Sequence, residues 1–390
     1  MYTQPHQMEP MLPLTRLAVL REMASGVIAD SQALTGHLHP VTLAAVRELV
    51  RAMNSYYSNR IEGQGTHPLN IERALRRDFS DKPDVARLQR LALAHIEAER
   101  EMEAEASQGG SPLASARALS AHRMLYSRLP ESDRSTIEGR MVLPGALRTE
   151  AVDVGRHVAP TPEALPAFLA RFDEVYTRPV SWDEYLVAIA CAHQRLAWIH
   201  PFLDGNGRAA RLQSHAALWP LSAGLWSPSR GLARQRESYY AKLADADAPR
   251  RGDLDGRGNL TEAGLFEWCE FFLGVCQDQV SFMAGMLDLD SLKTRLLALI
   301  TFMAAHDKAI RPAAVLPLHY LLVAGPVTRG EFAQMTGLGE RVARSMLSGL
   351  LASRLLESDG PYAPVRFAFP LHALQFLLPG LYPEAAAPPG

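Results

Sequence analysis

Apolar residues along this chain recur mostly at the three- and four-residue spacings of helices, and seldom in strict alternation. In residues 41–57, VTLAAVRELVRAMNSYY, the side chains of Leu43, Val46 and Val50 fall on one face, with Ala44 and Leu49 beside it. Residues 82–106 predict a long helix that turns acidic at its end. SQGGSP at 107–112 breaks the pattern, and the next helix is expected through 114–129. Further helices are expected at 161–176 and 181–199. In the latter, Trp182, Leu186, Ile189, His193 and Leu196 share a face, and Ser181 stands at the N-cap position. Helical stretches at 209–219 and 234–245 and a strongly apolar one at 261–285 follow, with a polar loop at 249–260. Residues 1 to about 40 are mixed and Pro-rich at the start, and read as an arm packed on the body. Residues 139–160, GRMVLPGALRTEAVDVGRHVAP, lose the helical period and suggest a short hairpin or extended flap.

Beyond about residue 293 the pattern changes. Two helices, at 294–306 and 317–325, precede a helix, a Gly-containing turn and another helix within 327–356. ESDGPYAPVRFAFP then reads as a pair of short strands. Helix, turn, helix and strand pair is the order of a winged helix. The expected fold is all-α with two small β additions. The expected units are an N-terminal helical region (1–115), a central core (116–288), a winged-helix domain (289–383) and a disordered tail (384–390).

Composition narrows the class. The 390 residues are 47% hydrophobic and 21% charged, with a formal net charge of -2. That suits a globular protein and supplies no overall field toward nucleic acid or membrane. No apolar run reaches a spanning length of roughly 18 residues. The opening MYTQPHQMEPMLPL lacks a basic stretch followed by an apolar core, so no secretory leader is expected there. The three cysteines, Cys191, Cys269 and Cys276, fit neither a disulfide framework nor a cysteine zinc site, and a cytoplasmic location is expected.

The chemistry concentrates in HPFLDGNGRAAR, residues 200–211. Pro201 should end the preceding helix and leave His200 at a loop, where an imidazole can act as a base near neutral pH. Gly205 and Gly207 allow backbone N–H groups to converge into an anion nest that opens into a helix. Asp204 is a hard oxygen ligand suited to Mg²⁺. Arg208 and Arg211 are three apart and can clamp a polyphosphate. The loop is neither a Walker A motif nor a dinucleotide fingerprint.

This stretch resembles the signature of the Fic family, HPFxDGNGRxxR, and matches it at every specified position. The resemblance covers roughly residues 120–285. It implies a helical Fic core that moves AMP from ATP to a Ser, Thr or Tyr hydroxyl of a target protein, releasing pyrophosphate. It further implies that His200 deprotonates the hydroxyl and that Asp204 holds Mg²⁺. Asn206 and the backbone of Gly205 and Gly207 would cradle phosphate oxygens, with Arg208 and Arg211 on the outer phosphates. Phe202 belongs to the same nucleotide loop, as its core anchor. Residues 142–155 resemble the family's flap, which pairs with a target backbone. One of Tyr239 and Tyr240 would pack at the adenine.

Upstream, SYYSNRIEGQG at 55–65 is similar to the family's inhibitory motif, [ST]xxxE[GN], with Ser58, Glu62 and Gly63 at the specified positions. The resemblance implies that Glu62 pairs with Arg211 and misaligns ATP. It also leaves open that Glu62 positions a water which removes AMP from a target. Between Lys293 and Pro370, nine Lys and Arg face five acidic residues, with Arg341, Arg344 and Arg366 on the expected recognition helix and wing. DNA, a protein partner or a homodimer stays open as the partner of that module. A DNA-binding regulator whose nucleotide site acts as a sensor is the alternative to an enzyme.

Overall fold

The computed structural model describes residues 2–34, 38–154, 157–178 and 180–382. The first helix, α1 (Leu17–Leu34), buries Leu20, Ala24, Val27 and Leu34. It packs along two later helices, so the N-terminal segment is part of the core and not an arm. Helices α2 (Pro40–Ile61), α3 (Pro68–Leu75) and α4 (Pro83–Ser107) each start at a proline, whose fixed φ and missing N–H suit the first helical position. The imidazoles of His39 and His67 cap α2 and α3 by accepting from the N–H groups of Val41 and Leu69, both at 3.2 Å. Between α5 (Ser115–Ser127) and α6 (Leu165–Tyr176) the only helical structure among the described residues is two single 3-10 turns.

Next come α7 (Trp182–Ile199) and α8 (Asn206–Ser222), the two helices that flank the signature loop. Helix α7 is buried along most of its length, Leu186, Ile189, His193 and Leu196 included, while Trp182 at its start is 46% exposed. Ser181 sits at its N-cap, but its side chain makes no capping bond. Short helices α9 (Ser229–Arg234) and α10 (Arg236–Ala246) lead to the 26-residue α11 (Glu262–Leu287), which Thr261 caps through the Gly264 N–H. Helices α1, α7, α8 and α11 form the central layer, with α4 and α5 packed on the outer side of α8. Cys191, Cys269 and Cys276 are buried free thiols.

In the expected flap, strands β1 (Asp153–Val154) and β2 (His157–Val158) pair antiparallel over two residues each. Both strands fall within the expected 139–160, with β1 at the end of the 142–155 stretch. Toward the C-terminus lie α12 (Leu289–His306), α13 (Val315–Ala324), α14 (Arg329–Met335) and α15 (Glu340–Ala352). A two-residue antiparallel pair, β3 (Leu356–Glu357) and β4 (Arg366–Phe367), and a final α16 (Leu371–Leu377) follow. This segment rests on α2. Thr42 Oγ donates to Leu322 O at 3.0 Å, Tyr57 OH donates to Leu381 O at 2.9 Å, and Tyr56 meets Tyr382 edge to face. One apolar cluster runs from Met8 to Tyr382. The expected tail, 384–390, lies outside the described residues. Among the described residues no helix is long and apolar enough to cross a membrane.

Candidate active site

The signature loop is held by contacts inside it and beneath it. Helix α7 stops because His200 takes a left-handed conformation, φ 49° and ψ 59°, which costs a non-glycine residue about 1–2 kcal/mol. Arg148 holds it there. Its buried guanidinium donates from Nε to His200 O at 2.8 Å and also reaches Glu150 O and Pro160 O, while its own N–H donates to Pro201 O. The His200 ring is half-buried. Desolvation, helped by the charge of Arg148, pushes it down to about 4, so it is neutral at pH 7 and able to take a proton.

Both ends of the Asn206 amide are used on Phe202, accepting from its N–H at 2.9 Å and donating to its O at 2.8 Å. The side chain therefore closes the loop on itself, and of its two amide N–H groups one is left beyond these bonds. Phe202 is fully buried and stacks on His122 with ring centroids 4.0 Å apart. It anchors the loop and presents no surface to a ligand. His122 accepts from the Gly145 N–H at 2.9 Å through Nδ1, so its Nε2 is the nitrogen that donates to Asp204 O at 3.0 Å. Gly205, with φ 79°, lies against Tyr126, and a Cβ there would come within 2.6 Å of the ring. Helix α8 then starts, and by helix geometry the N–H groups of its first turn lack carbonyl partners, leaving an anion site.

The charged groups form two sets. Asp204 is part-exposed and accepts from the Gly205 N–H at 2.6 Å and from Tyr126 OH at 3.1 Å. A lone, solvent-facing carboxylate beside a helix N-terminus fits Mg²⁺, which prefers one or two carboxylates together with phosphate oxygens. Arg208, almost fully buried, reaches Tyr126 OH at 2.8 Å and Gln64 Oε1 at 2.6 Å. Arg211, 1% exposed at its side chain, donates from Nε to Ser58 Oγ at 2.9 Å and from Nη2 to Ser58 O at 3.1 Å and Glu62 Oε1 at 2.5 Å.

Glu62 reaches Arg211 because α2 ends one residue before it. The N–H groups of Gly63 (φ 72°) and Gln64 fold back onto Arg60 O and Asn59 O, the Schellman pattern that a positive-φ glycine permits. Burial pushes the Glu62 carboxyl up, but Arg211 and Arg208 outweigh it and hold the group below its usual range. Gly207 leaves room for the pair, since a Cβ there would collide with Glu62 Oε1 and crowd Arg211.

Of the two tyrosines, Tyr239 is buried in the core, where His193 Nε2 accepts from its hydroxyl at 2.9 Å. Tyr240 is 42% exposed and donates to Ile61 O at 3.2 Å, so it is the one at the surface beside the site. Tyr126, His122, Arg148 and Gln64 were not among the expected site residues. His122 and Tyr126 stand four apart, and Gln64 lies two past Glu62, but neither spacing alone points to a loop far along the chain.

Buried neutral imidazoles make the fold acid-sensitive. Burial pushes His193 down to about 3 and His122 down to about 4. Each contributes stability that is complete above the unfolded value of about 6.5 and is lost as pH falls toward the folded value. Each unit of pH in that window costs up to about 1.4 kcal/mol per ring. The Tm in scanning calorimetry should therefore fall steadily from pH 7 to pH 5, and an unchanged Tm would mean that these rings are already charged in the fold.

These parts define an all-helical domain that presents a histidine, a carboxylate and two arginines around one helix N-terminus. Residues 112–218 match the model of the Fic/DOC family, so the likeness to that family lies in this stretch. Curated relatives include the protein adenylyltransferase Fic of Drosophila willistoni, 38% identical over 104 residues, and that of Drosophila erecta, 36% identical over the same length. Each alignment covers 26% of this chain and 20% of the relative, so the matched part spans about a fifth of those proteins. Among solved structures, a Fic family protein from Desulfovibrio desulfuricans G20 superposes with a TM-score of 0.52 at 19% identity, covering 95% of this chain and 99% of that one. A Fic domain containing signaling protein from Bacteroides thetaiotaomicron VPI-5482 gives 0.52 at 17% identity, covering 67% and 96%. At these identities the likeness concerns the fold.

Proposed function

We propose that this protein is an autoinhibited protein adenylyltransferase, transferring AMP from ATP to a Ser, Thr or Tyr hydroxyl of a target protein and to itself. The observation that carries this reading is a neutral His200 beside a helix N-terminus lined by Asp204 and Arg208, with Arg211 engaged by Glu62. The target oxygen attacks the α-phosphorus, the bond to the pyrophosphate oxygen breaks, and the hydroxyl proton passes to His200. Asp204 would hold Mg²⁺, which neutralises phosphate charge when bound. The N–H groups of the first turn of α8 bind phosphate oxygens, and Arg208 and Arg211 orient the outer phosphates once freed. The test is transfer of labelled AMP from ATP by the purified protein, with the acceptors identified by mass spectrometry. Absence of transfer even without Glu62 would overturn the reading.

Inhibition on this account has two contacts, because Gln64 holds Arg208 as Glu62 holds Arg211. Gln64→Ala removes one neutral-acceptor bond to a charged donor, worth roughly 1.5 kcal/mol. AMP transfer should rise several-fold, less than on loss of Glu62. A rate equal to that of the parent would make Gln64 a bystander.

For residues 289–383 we propose a winged-helix module that docks a protein in preference to DNA. In support, two of the arginines expected to meet DNA are engaged within the module, Arg344 with Glu340 and Arg366 with Asp359 at 2.8 Å.

A further inference from the structure

Three residues of α4 stand four apart, His95, Glu99 and Glu103, and so share one face. That face turns inward, and the three are 1, 1 and 3% exposed. His215 of α8, 2% exposed, faces them. Its Nε2 lies 2.9 Å from Glu103 Oε1 and 3.3 Å from Glu99 Oε1, and His95 Nδ1 lies 3.8 Å from Glu99 Oε2. Neither ring nitrogen of His95 has a hydrogen-bond partner, nor has Nδ1 of His215. An unsatisfied buried polar group costs about 1–3 kcal/mol. Apolar side chains on these helices would avoid that cost.

The separations match a shared ion. Ligand atoms of Glu99, Glu103 and His215 all lie within 4.8 Å of one another. Around a tetrahedral Zn²⁺ with bonds of about 2.1 Å, neighbouring ligand atoms stand roughly 3.4 Å apart, close to the two His215 separations of 2.9 and 3.3 Å; His95, which stands outside that trio beside the other Glu99 oxygen, would turn to the ion as its fourth ligand. Both carboxylates already have outer partners of the kind that orient metal ligands. Arg51 holds Glu103 Oε2 through Nε at 2.9 Å and Nη2 at 2.5 Å, which turns Oε1 toward His215. Asn54 Nδ2 donates to Glu99 Oε1 at 2.8 Å. Two carboxylates balance a dication, and two imidazoles favour zinc-like metals over Mg²⁺ or Ca²⁺.

We propose that His95, Glu99, Glu103 and His215 form a buried binding site for one divalent transition metal of the Zn²⁺ class, separate from the signature loop. The ion would tie α4 to α8. His215 lies one turn beyond Arg211, so the same ion would steady the helix that carries both arginines of the loop.

The test uses the full chain expressed with Co²⁺ in the medium, read by elemental analysis and by visible d–d absorption. One equivalent of Co²⁺ with the absorption of a four-coordinate site is expected. His95→Ala breaks no hydrogen bond and should lower metal affinity by about tenfold or more and weaken the bands, with circular dichroism unchanged. If that variant does not fold, the isosteric Glu99→Gln takes its place. Lack of stoichiometric metal in the parent overturns the proposal. So do bands that the variants leave intact, which would put the metal on other histidines.

Discussion

Exchange of Glu62 for glycine is expected to raise AMP transfer from ATP by about tenfold to a hundredfold. The size follows from the contact it removes. Glu62 Oε1 sits 2.5 Å from Arg211 Nη2, and the arginine is almost fully withdrawn from water. A hydrogen bond between charged groups at such a site is worth about 1.5–3 kcal/mol, and each 1.4 kcal/mol is a factor of ten. The gain should appear in turnover more than in ATP affinity, because the freed guanidinium orients phosphates that bind in either case. The fold should tolerate the change. Arg211 keeps both bonds to Ser58, and the turn closed by Gly63 and Gln64 uses backbone groups alone. Glu62→Gln, which keeps an acceptor and loses the charge, should fall between parent and glycine variant. Rates of label incorporation into the protein itself and into lysate proteins provide the measurement. A glycine variant no faster than the parent would exclude Glu62 as a brake.

Loss of the His200 imidazole should abolish transfer with or without Glu62. A positioned general base contributes typically 10²–10⁴-fold, and no other described imidazole belongs to the loop. His200→Ala would also disturb the backbone, because alanine resists the left-handed conformation that His200 adopts. Asparagine accepts that conformation, so His200→Asn separates chemistry from strain. It should bind ATP as the parent does, by calorimetry, and transfer AMP at least about a hundredfold more slowly. With the ring pushed down to about 4, the parent's rate should not decline between pH 8 and pH 6. A His200→Asn enzyme near the parent rate would end the assignment of His200 as base.

The long helices were legible because their apolar stripes are made of large residues. α4, α7 and α11 carry Leu, Ile, Phe or Trp at helical spacing. α1 was not, because its stripe mixes Leu20 and Val27 with Ala24 and Ser31. α3 and α16, at 8 and 7 residues, are too short for a period to register. The signature loop was legible as one contiguous stretch. The partners of its side chains were not, since Gln64, Tyr126 and Arg148 meet the loop from 52 to 144 positions away. Asn206 shows the limit within the loop itself. An amide in a turn can face a ligand or its own backbone, and spacing does not distinguish the two.

The C-terminal quarter braces the helix that carries the inhibitory residues, through the bonds of Thr42 and Tyr57 and the meeting of Tyr56 with Tyr382. Deleting residues 290–390 is therefore a poor instrument for asking what that quarter recognises. Such a truncation would slacken α2 as well, and a faster enzyme would then report a loosened latch and not a lost partner. Point changes on the outward faces of α14 and α15 keep the two questions apart.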